Sequence, residues 1–215
     1  MSVLPDHQIR RIAQQDNAIV PFTPKTVRDG LSWGLSSFGY DARLSHVGFS
    51  LITDGDEEID PKRFDDRHLT SLPLHREGKE AWFVLPPRSF GLGVTMEEFA
   101  IPTGMIAVPF PKSTYGRAGL TFKTIPAEPG WTGYLTLEIG NDTNRPMRVY
   151  AGEGICQIVF FEGMKPELSY ADRSGKYQDQ PHRPVSARGA VPVASVDIDE
   201  DDADEAVDDA NNGDI

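Results

Sequence analysis

The sequence is poor in cysteine and histidine. One cysteine, Cys156, occurs in 215 residues, so the chain has no internal disulfide. Cys156 lies in the apolar run 155–161, which predicts a small buried hydrophobic side chain. The five histidines are scattered, and no His-x-Glu is followed by Pro-Cys-x-x-Cys. A zinc site built from His and Cys ligands is therefore not encoded.

Long apolar runs are missing as well. No run approaches the roughly 20 apolar residues that a membrane-spanning helix requires. The first residues, MSVLPDHQIRRIAQQ, lack the apolar core of a signal peptide. We therefore expect a soluble cytoplasmic protein without a membrane partner, and a single cysteine agrees with a reducing compartment.

The last part of the chain contains no lysine or arginine. From Ala190 onward there are ten Asp or Glu residues, which account for most of the net charge of −12. The preceding residues hold 23 acidic and 21 basic side chains and are nearly neutral. The total charge therefore does not indicate a cationic partner, and we expect no nucleic-acid partner. We predict one domain over 1–189 and an acidic, disordered tail over 190–215.

Most of the chain alternates short apolar segments with turns. Helical periodicity is confined to Asp6–Gln15, where Pro5 stands at the start and Ile9, Ile12 and Ala13 share a face. After residue 80, Gly and Pro separate strand candidates at 81–85, 90–95, 105–110, 120–125, 133–139, 146–150 and 155–161. This pattern predicts a mainly β barrel or sandwich with a short N-terminal helix.

The segment 112–117 has the side chains that a phosphate group requires. Lys112 supplies an ammonium, Ser113 and Thr114 supply hydroxyls, and Arg117 supplies a planar guanidinium. These groups bind phosphate oxygens, especially beside exposed backbone N–H groups. Ser113 and Arg117 are four residues apart, so a turn or short helix would place them on one face.

A strand candidate follows that carries one carboxylate. In the run YLTLEI, alternation predicts Leu135, Leu137 and Ile139 on one face. Thr136 and Glu138 then share the opposite face. An anion-binding turn and a lone carboxylate within one short segment indicate a nucleotide enzyme that transfers protons.

These motifs resemble the dCTP deaminase family, which is part of the dUTPase-like superfamily. Five pieces carry the resemblance: Gly39-Tyr40-Asp41-Ala42-Arg43, Lys112-Ser113-Thr114-Tyr115-Gly116-Arg117, Glu128-Pro129-Gly130-Trp131, Thr136-Leu137-Glu138, and Ser169-Tyr170-Ala171-Asp172 followed by Gly175-Lys176-Tyr177. Their order and spacing are similar to the longer, bacterial-type form and cover roughly residues 1–188. The resemblance implies a trimeric, dUTPase-like distorted β-barrel or jelly roll.

The resemblance also implies the reaction, hydrolytic deamination of dCTP to dUTP and ammonia on the route to dUMP and dTTP. Better-known nucleobase deaminases activate water with zinc held by His and Cys, which this chain lacks. Glu138 is therefore expected to be the general acid and base. Ser113 and Arg117 would help to hold the attacking water. Mg²⁺ would accompany the triphosphate, and feedback inhibition by dTTP is left open.

The implied substrate-binding set is larger than the catalytic one. By resemblance, Lys112 and Thr114 contact phosphates, Gln157 contacts the nucleotide, and the segment 169–180 forms a lid with Gly175 as a hinge. Tyr40, Asp41 and Trp131 are expected to be structural. The whole substrate-binding prediction comprises Lys112, Ser113, Thr114, Tyr115, Gly116, Arg117, Thr136, Leu137, Glu138, Gln157, Tyr170, Lys176 and Gln180, with no metal ligand.

Two alternatives remain open. A dUTPase or a bifunctional enzyme would need a carboxylate to orient water near the α-phosphate, and Glu128 lies near where dUTPases carry an aspartate. The Lys-Ser-Thr-Tyr run differs from the Arg-Ser-Ser or Arg-Ser-Gly pattern of those enzymes, which favours deamination alone. A catalytically silent nucleotide sensor is the second alternative, because Ile125 replaces a threonine near the base. The presence of Ser113, Arg117 and Glu138 favours an enzyme.

Overall fold

Fourteen strands, two α-helices and one 3₁₀-helix form the part of the chain that the computed structural model describes, residues 2–123 and 125–189. The α-helices are α1 (Asp6–Gln15) and α2 (Ser113–Ala118), and the 3₁₀-helix is Asp66–His68. The predicted mainly β class with a short N-terminal helix is confirmed. In chain order the strands are β1 (Ser2–Val3), β2 (Ile19–Val20), β3 (Gly34–Ser36), β4 (Gly39–Arg43), β5 (Ser50–Ile52), β6 (Leu69–Ser71), β7 (His75–Glu77), β8 (Glu80–Leu85), β9 (Phe90–Ala100), β10 (Met105–Pro111), β11 (Leu120–Phe122), β12 (Thr132–Asn141), β13 (Met147–Ala151) and β14 (Gly154–Glu162).

The predicted acidic tail, 190–215, lies outside the described residues, so the domain boundary at residue 189 stays a prediction. Across 2–123 and 125–189, no helix has both the length and the apolar character needed to cross a membrane.

Helix α1 has the predicted bounds and the predicted buried face. Ile9, Ile12 and Ala13 are buried, and Pro5 occupies the N-cap with an extended backbone. The buried face packs against β2, β3 and β4. The spacing of three apolar residues over one and a half turns was therefore sufficient to define this element.

The strand predictions after residue 80 correspond to β8 through β14, with two differences in length. β9 continues to Ala100 instead of ending near residue 95, because β12 pairs with it that far. β11 ends at Phe122 instead of residue 125. Pro126 follows shortly after, and it has no N–H to donate to a strand ladder.

Three antiparallel sheets share one apolar core. β14 pairs with β1, β4 and β10 in the first sheet, and β3 continues from β4. The second sheet has the order β11-β12-β9-β5-β6, with β2 on β9, and the third has the order β13-β8-β7. Cys156 is fully buried in β14 opposite Ala42, as predicted, and burial raises the pKa of its thiol.

A buried ion pair holds β4 of the first sheet against β9 of the second. Glu97 is fully buried, and its carboxylate accepts hydrogen bonds from Arg43 Nε at 2.7 Å and from the Arg43 backbone N–H at 2.9 Å. Burial raises the pKa of Glu97, although the Arg43 contacts oppose that rise. Removing one partner of such a pair costs about 3–5 kcal/mol of folding free energy. The pair therefore fixes the relative position of the two sheets.

A β-bulge in β9, where Thr95, Met96 and Glu97 stand opposite the single residue Leu135, interrupts the pairing of β9 with β12. The pairing of β12 with β9 shifts register between Tyr134 and Thr136, and the Leu135 backbone N–H bonds the Thr95 hydroxyl at 2.9 Å. Leu137 is buried as predicted, but Leu135 is only half-buried. Leu135 packs against the apolar core that contains Leu137 and Ile139, in agreement with the predicted common face.

Candidate active site

A cavity of about 460 Å³ lies between β12, β9 and the C-terminal segment of the described chain. Its volume falls in the range of small-molecule sites, roughly 300–1,000 Å³. Apolar side chains form most of the wall, and the polar groups are concentrated on β12 and the C-terminal segment. The lining residues are Ile52, Phe64, Phe90, Leu92, Ile125, Pro126, Ala127, Glu128, Trp131, Leu135, Thr136, Glu138, Tyr170, Lys176, Tyr177, Gln180, Val185, Ser186 and Ala187.

Glu138 is the carboxylate of this cavity whose side chain has no partner among residues 2–123 and 125–189. The side chain is half-buried, and it makes no hydrogen bond or ion pair with any described residue. Burial raises the pKa of Glu138, and the nearby positive charge of Lys123 lowers it. A carboxyl whose pKa lies above its ordinary value exchanges protons more readily near neutral pH, which is the property of a general acid and base.

Thr136 lies beside Glu138, as the alternation of β12 predicted, and its polar atoms are occupied. Gln180 Oε1 accepts hydrogen bonds from the Thr136 backbone N–H at 3.3 Å and from its hydroxyl at 3.2 Å. The backbone N–H of Val185 donates to the same hydroxyl at 3.1 Å. The backbone carbonyl of Gln180 also accepts from the Tyr134 N–H at 3.0 Å. The C-terminal segment is thus bonded directly to the strand that carries Glu138.

The predicted lid segment covers the cavity through contacts within the chain. The Tyr170 backbone N–H donates to the Pro129 carbonyl at 2.8 Å, and the Tyr170 hydroxyl accepts from the Tyr177 N–H at 2.9 Å. The Lys176 ammonium donates to the Arg188 carbonyl at 3.0 Å. Tyr170, Lys176 and Gln180 line the cavity, and their contact with a nucleotide stays a prediction.

The covering segment also extends beyond Gln180, which the sequence analysis missed. Val185 is buried, and Val185, Ser186 and Ala187 line the cavity. Val185 is an isolated β-branched residue directly after Pro184 in a polar stretch. That single apolar side chain was the available signal for a buried contact.

The polar side chains of α2 do not line the cavity. Ser113, Thr114 and Arg117 are exposed on a six-residue helix, and their side chains have no hydrogen-bonding partner among the described residues. α2 leads into β11, where Leu120 pairs with Asn141. Asn141 is three residues along β12 from Glu138, which corresponds to roughly 10 Å. One chain therefore presents the anion-binding side chains and the carboxylate as two separate groups.

The Tyr115 side chain points inward from the same helix. It is buried, and its hydroxyl accepts a hydrogen bond from the Tyr150 backbone N–H at 2.8 Å. Leu137, another residue of the predicted substrate-binding set, is also buried in the core. These two side chains hold α2 and β12 in place, so any contact with a ligand would involve their backbones.

Lys112 and Gln157 have partners within the chain and do not line the cavity. The Lys112 ammonium donates to Asp41 Oδ2 at 2.6 Å, to the Ser32 carbonyl at 2.8 Å and to the Ser32 hydroxyl at 3.0 Å. An ammonium has three donors, and all three are used here. Gln157 Nε2 donates to the Ser36 hydroxyl at 3.0 Å. A phosphate contact by Lys112 would have to replace one of these bonds.

Comparison with known proteins agrees with the sequence motifs. A family model described as dCTP deaminase-like matches residues 3–163. The chain belongs to the dCTP deaminase-like family. The dCTP deaminases of Acidobacterium capsulatum and Herpetosiphon aurantiacus are each 45% identical to it over 183 residues, which is 84% of this chain and 96% of each relative.

A solved structure supports the fold of this deaminase-like chain. The crystal structure of 2'-deoxycytidine 5'-triphosphate deaminase from Agrobacterium tumefaciens matches it with a TM-score of 0.53 and 24% sequence identity. The match covers 75% of this chain and 48% of that chain. The likeness shows that the two proteins share a fold.

Over residues 2–123 and 125–189, no three His, Cys, Asp or Glu side chains form a group that could hold a metal ion.

Trp131 was predicted to be structural. It is buried, and its indole N–H donates to the Tyr177 carbonyl at 2.7 Å.

Proposed function

We propose that the chain catalyses hydrolytic deamination of dCTP to dUTP and ammonia. The observation that carries the proposal is Glu138, a half-buried carboxylate that has no partner in the described part of the chain and lies in a cavity large enough for a nucleotide base and sugar. The family membership supports the substrate, since relatives at 45% identity are named dCTP deaminases. We place the reaction on the route to dUMP and dTTP.

Glu138 would move protons during both halves of the reaction. As a carboxylate it takes a proton from water, and the resulting hydroxide adds to C4 of the cytosine ring. The proton is passed toward N3, which neutralises the charge that develops on the ring. Glu138 then takes the proton of the new C4 hydroxyl and delivers it to the amine, so that the C4 carbonyl forms as the C4–N bond breaks and ammonia departs. One water is consumed and one ammonia is released for each dCTP.

We further propose a homotrimer with its active sites at subunit boundaries. Ser113, Thr114 and Arg117 are exposed on α2 and lack partners in the described part of their own chain. A neighbouring subunit would bring these side chains to the cavity that contains Glu138. There Arg117 and Ser113 would hold the attacking water and the phosphate end of the nucleotide.

The proposal also includes a metal ion that accompanies the substrate, a feedback inhibitor and the cellular location. Mg²⁺ would arrive with the triphosphate, because phosphate oxygens supply most ligands of nucleotide-bound Mg²⁺. Lys176 and Gln180 line the cavity and would face the nucleotide. dTTP, which shares the triphosphate and sugar, is proposed as a feedback inhibitor. We place the protein in the cytoplasm.

The dUTPase alternative is less well supported by the cavity. Phosphoryl transfer would need a carboxylate that is available to orient water. Glu128 lines the cavity, but its carboxylate is ion-paired with the Arg173 guanidinium. The silent-sensor alternative rests on Ile125, which lines the cavity and is half-exposed. An apolar side chain there changes base recognition without removing Glu138.

Product analysis tests the proposal directly. The protein is treated with a zinc chelator, returned to Mg²⁺ and incubated with dCTP, and the products are separated. We expect dUTP and ammonia, because the chain lacks a His and Cys ligand set for zinc. Formation of dUMP and pyrophosphate would show bifunctional activity. Activity that returns with Zn²⁺ but not with Mg²⁺ would refute the zinc-independent mechanism.

The pH dependence of turnover should report on Lys123. The Lys123 backbone N–H bonds the Glu138 carbonyl at 2.9 Å, immediately after the paired residues Phe122 and Ile139. Opposite residues of an antiparallel pair place their side chains on one face, with Cβ atoms roughly 5 Å apart. The other charged side chains lining the cavity are Glu128 and Lys176. Of all charged groups, Lys123 is the one that shifts the pKa of Glu138, and it lowers it.

Lys123→Gln should therefore move the acidic limb of the kcat profile to higher pH. Removing the positive charge lets the pKa of Glu138 rise further, so the carboxylate is protonated, and inactive as a base, at a higher pH. The shift should be a fraction of a pH unit, because the ammonium is exposed and solvent screens it. Lys123→Arg should restore the profile, and Lys79→Gln, in an exposed turn, is the control. Superimposable Lys123→Gln and parent profiles would show that Lys123 has no influence.

A further inference from the structure

The C-terminal segment has an anchor outside the cavity, at His182. The imidazole ring stacks on the Tyr134 ring with a centroid distance of 4.1 Å and an interplanar angle of 15°. Its Nε2 atom lies 2.9 Å from the Ser45 hydroxyl oxygen. Ser45 is buried, and its hydroxyl also accepts the Val47 backbone N–H at 3.3 Å. His182 therefore binds two separate elements, β12 and the loop after β4.

The position of His182 along the chain connects this anchor to the cavity. Gln180, two residues before it, and Val185, three residues after it, both hydrogen-bond Thr136. Pro181 and Pro184 flank the anchor. Proline fixes φ near −65°, so the backbone between the anchor and the Thr136 contacts has few alternative conformations. A displacement of His182 would move Gln180 and Val185 with it.

Tyr134 links the His182 ring directly to the strand that carries Thr136 and Glu138. It lies at the β-bulge, two residues before Thr136 and four before Glu138. The stacked imidazole covers the Tyr134 ring at the position where β12 leaves regular pairing. His182 itself is not part of the cavity wall and is exposed to solvent on its other side. Its influence on a nucleotide would therefore be indirect.

We propose that His182 is a positioning residue that clasps the C-terminal segment to β12 and so fixes the Gln180 and Val185 side of the nucleotide pocket. The inference rests on the proposed function for its kinetic consequences. The clasp itself is a property of the chain without a nucleotide. It predicts that loss of the imidazole loosens residues 176–188 and weakens dCTP binding more than it slows the chemical step.

Two measurements on His182→Ala test the clasp. Limited trypsin digestion should cleave after Lys176 and Arg188 about five- to tenfold faster than in the parent, since an aromatic stack and a hydrogen bond are lost. The KM for dCTP should rise by a similar factor, while kcat changes less than about threefold. His182→Phe keeps a stacking ring and should recover most of the protection. Ser45→Ala keeps the stack but removes the hydrogen bond to His182, together with the longer one from the Val47 N–H, and should give an intermediate rate.

The matched control is His75→Ala. His75 also stacks on an aromatic ring, Trp82, with a centroid distance of 5.9 Å and an interplanar angle of 14°, but in the third sheet. Its loss should leave digestion after Lys176 and the KM unchanged. Parent-like digestion and KM in His182→Ala would overturn the clasp.

The digestion also separates this inference from the proposed function. If the parent does not deaminate dCTP but His182→Ala digests faster, the clasp stands and the reaction is wrong. If deamination is normal and digestion is unchanged, the reaction stands and the clasp is wrong. If His182→Ala does not fold, His182→Phe and Ser45→Ala are measured in its place. Digestion rates and KM values equal to those of the parent in both variants would also overturn the clasp.

Discussion

Replacing Glu138 by glutamine is expected to lower the turnover of dCTP by about 10²–10⁴-fold, the usual cost of losing a general acid and base. The amide is nearly isosteric with the carboxylate, so the shape of the cavity should be kept. Because glutamine cannot accept the proton from water, the first step has no base. Glu138 makes no hydrogen bond or ion pair with the described residues, so its replacement breaks no structural contact there.

Both the turnover of dCTP and the affinity for dCTP are measured for the Glu138→Gln variant. Calorimetry with dCTP should give an affinity within a few-fold of the parent, while product formation falls to the detection limit. Glu98→Gln is the matched control, because Glu98 is an exposed strand glutamate on the neighbouring β9. It should retain parental turnover. Turnover near the parental value in Glu138→Gln would remove Glu138 from the mechanism.

Local sequence patterns correctly predicted those features that depend on a single helix or strand. The apolar spacing of Ile9, Ile12 and Ala13 defined α1, because a helix buries a single stripe. The apolar run around Cys156 defined a buried strand for a similar reason. Thr136 and Glu138 were correctly placed on a common face, since both lie beyond the bulge where alternation is regular.

Features set by contacts between distant segments were not predictable in the same way. The bulge in β9 stands opposite Leu135, whose backbone N–H donates to the hydroxyl of Thr95, 40 positions earlier in the sequence. The contact of Val185 with Thr136 joins residues 49 positions apart. The apolar pattern within either segment does not indicate which residues of the two segments pair, because the pairing depends on the surface that the other segment presents.

In the candidate site, too, the sequence predicted which residues are present better than it predicted which of them lie together. Motif resemblance placed Lys112 with the phosphates, but the ammonium is held by Asp41 and Ser32 within the chain. Residues 112–117 and Glu138 are close in sequence, yet α2 and the cavity are separated along β12. Proximity in sequence therefore did not establish proximity in one subunit. The proposed assembly of subunits would bring both groups to one nucleotide.

Arg117→Ala should be about 100-fold or more less active, because the guanidinium would stabilise charge at the reacting centre. If each site takes Arg117 from one subunit and Glu138 from its neighbour, Arg117→Ala and Glu138→Gln chains should complement each other. Each mutant is inactive alone, whereas a mixed trimer contains sites with one intact residue from each chain. In a cyclic trimer that contains both kinds of chain, one of the three sites would carry both intact residues.

The experiment co-expresses the two chains with different affinity tags and purifies only the mixed assemblies. Ultracentrifugation should show a single trimeric species for the parent and for the mixture. A double mutant, Arg117→Ala with Glu138→Gln, mixed with the parent is the control, because it dilutes sites without creating complementary pairs. Recovery of activity in the mixture, far above the sum of the two mutants, is expected. A mixture that stays as inactive as its components, or an active parental monomer, would show that α2 and Glu138 do not meet across a subunit boundary.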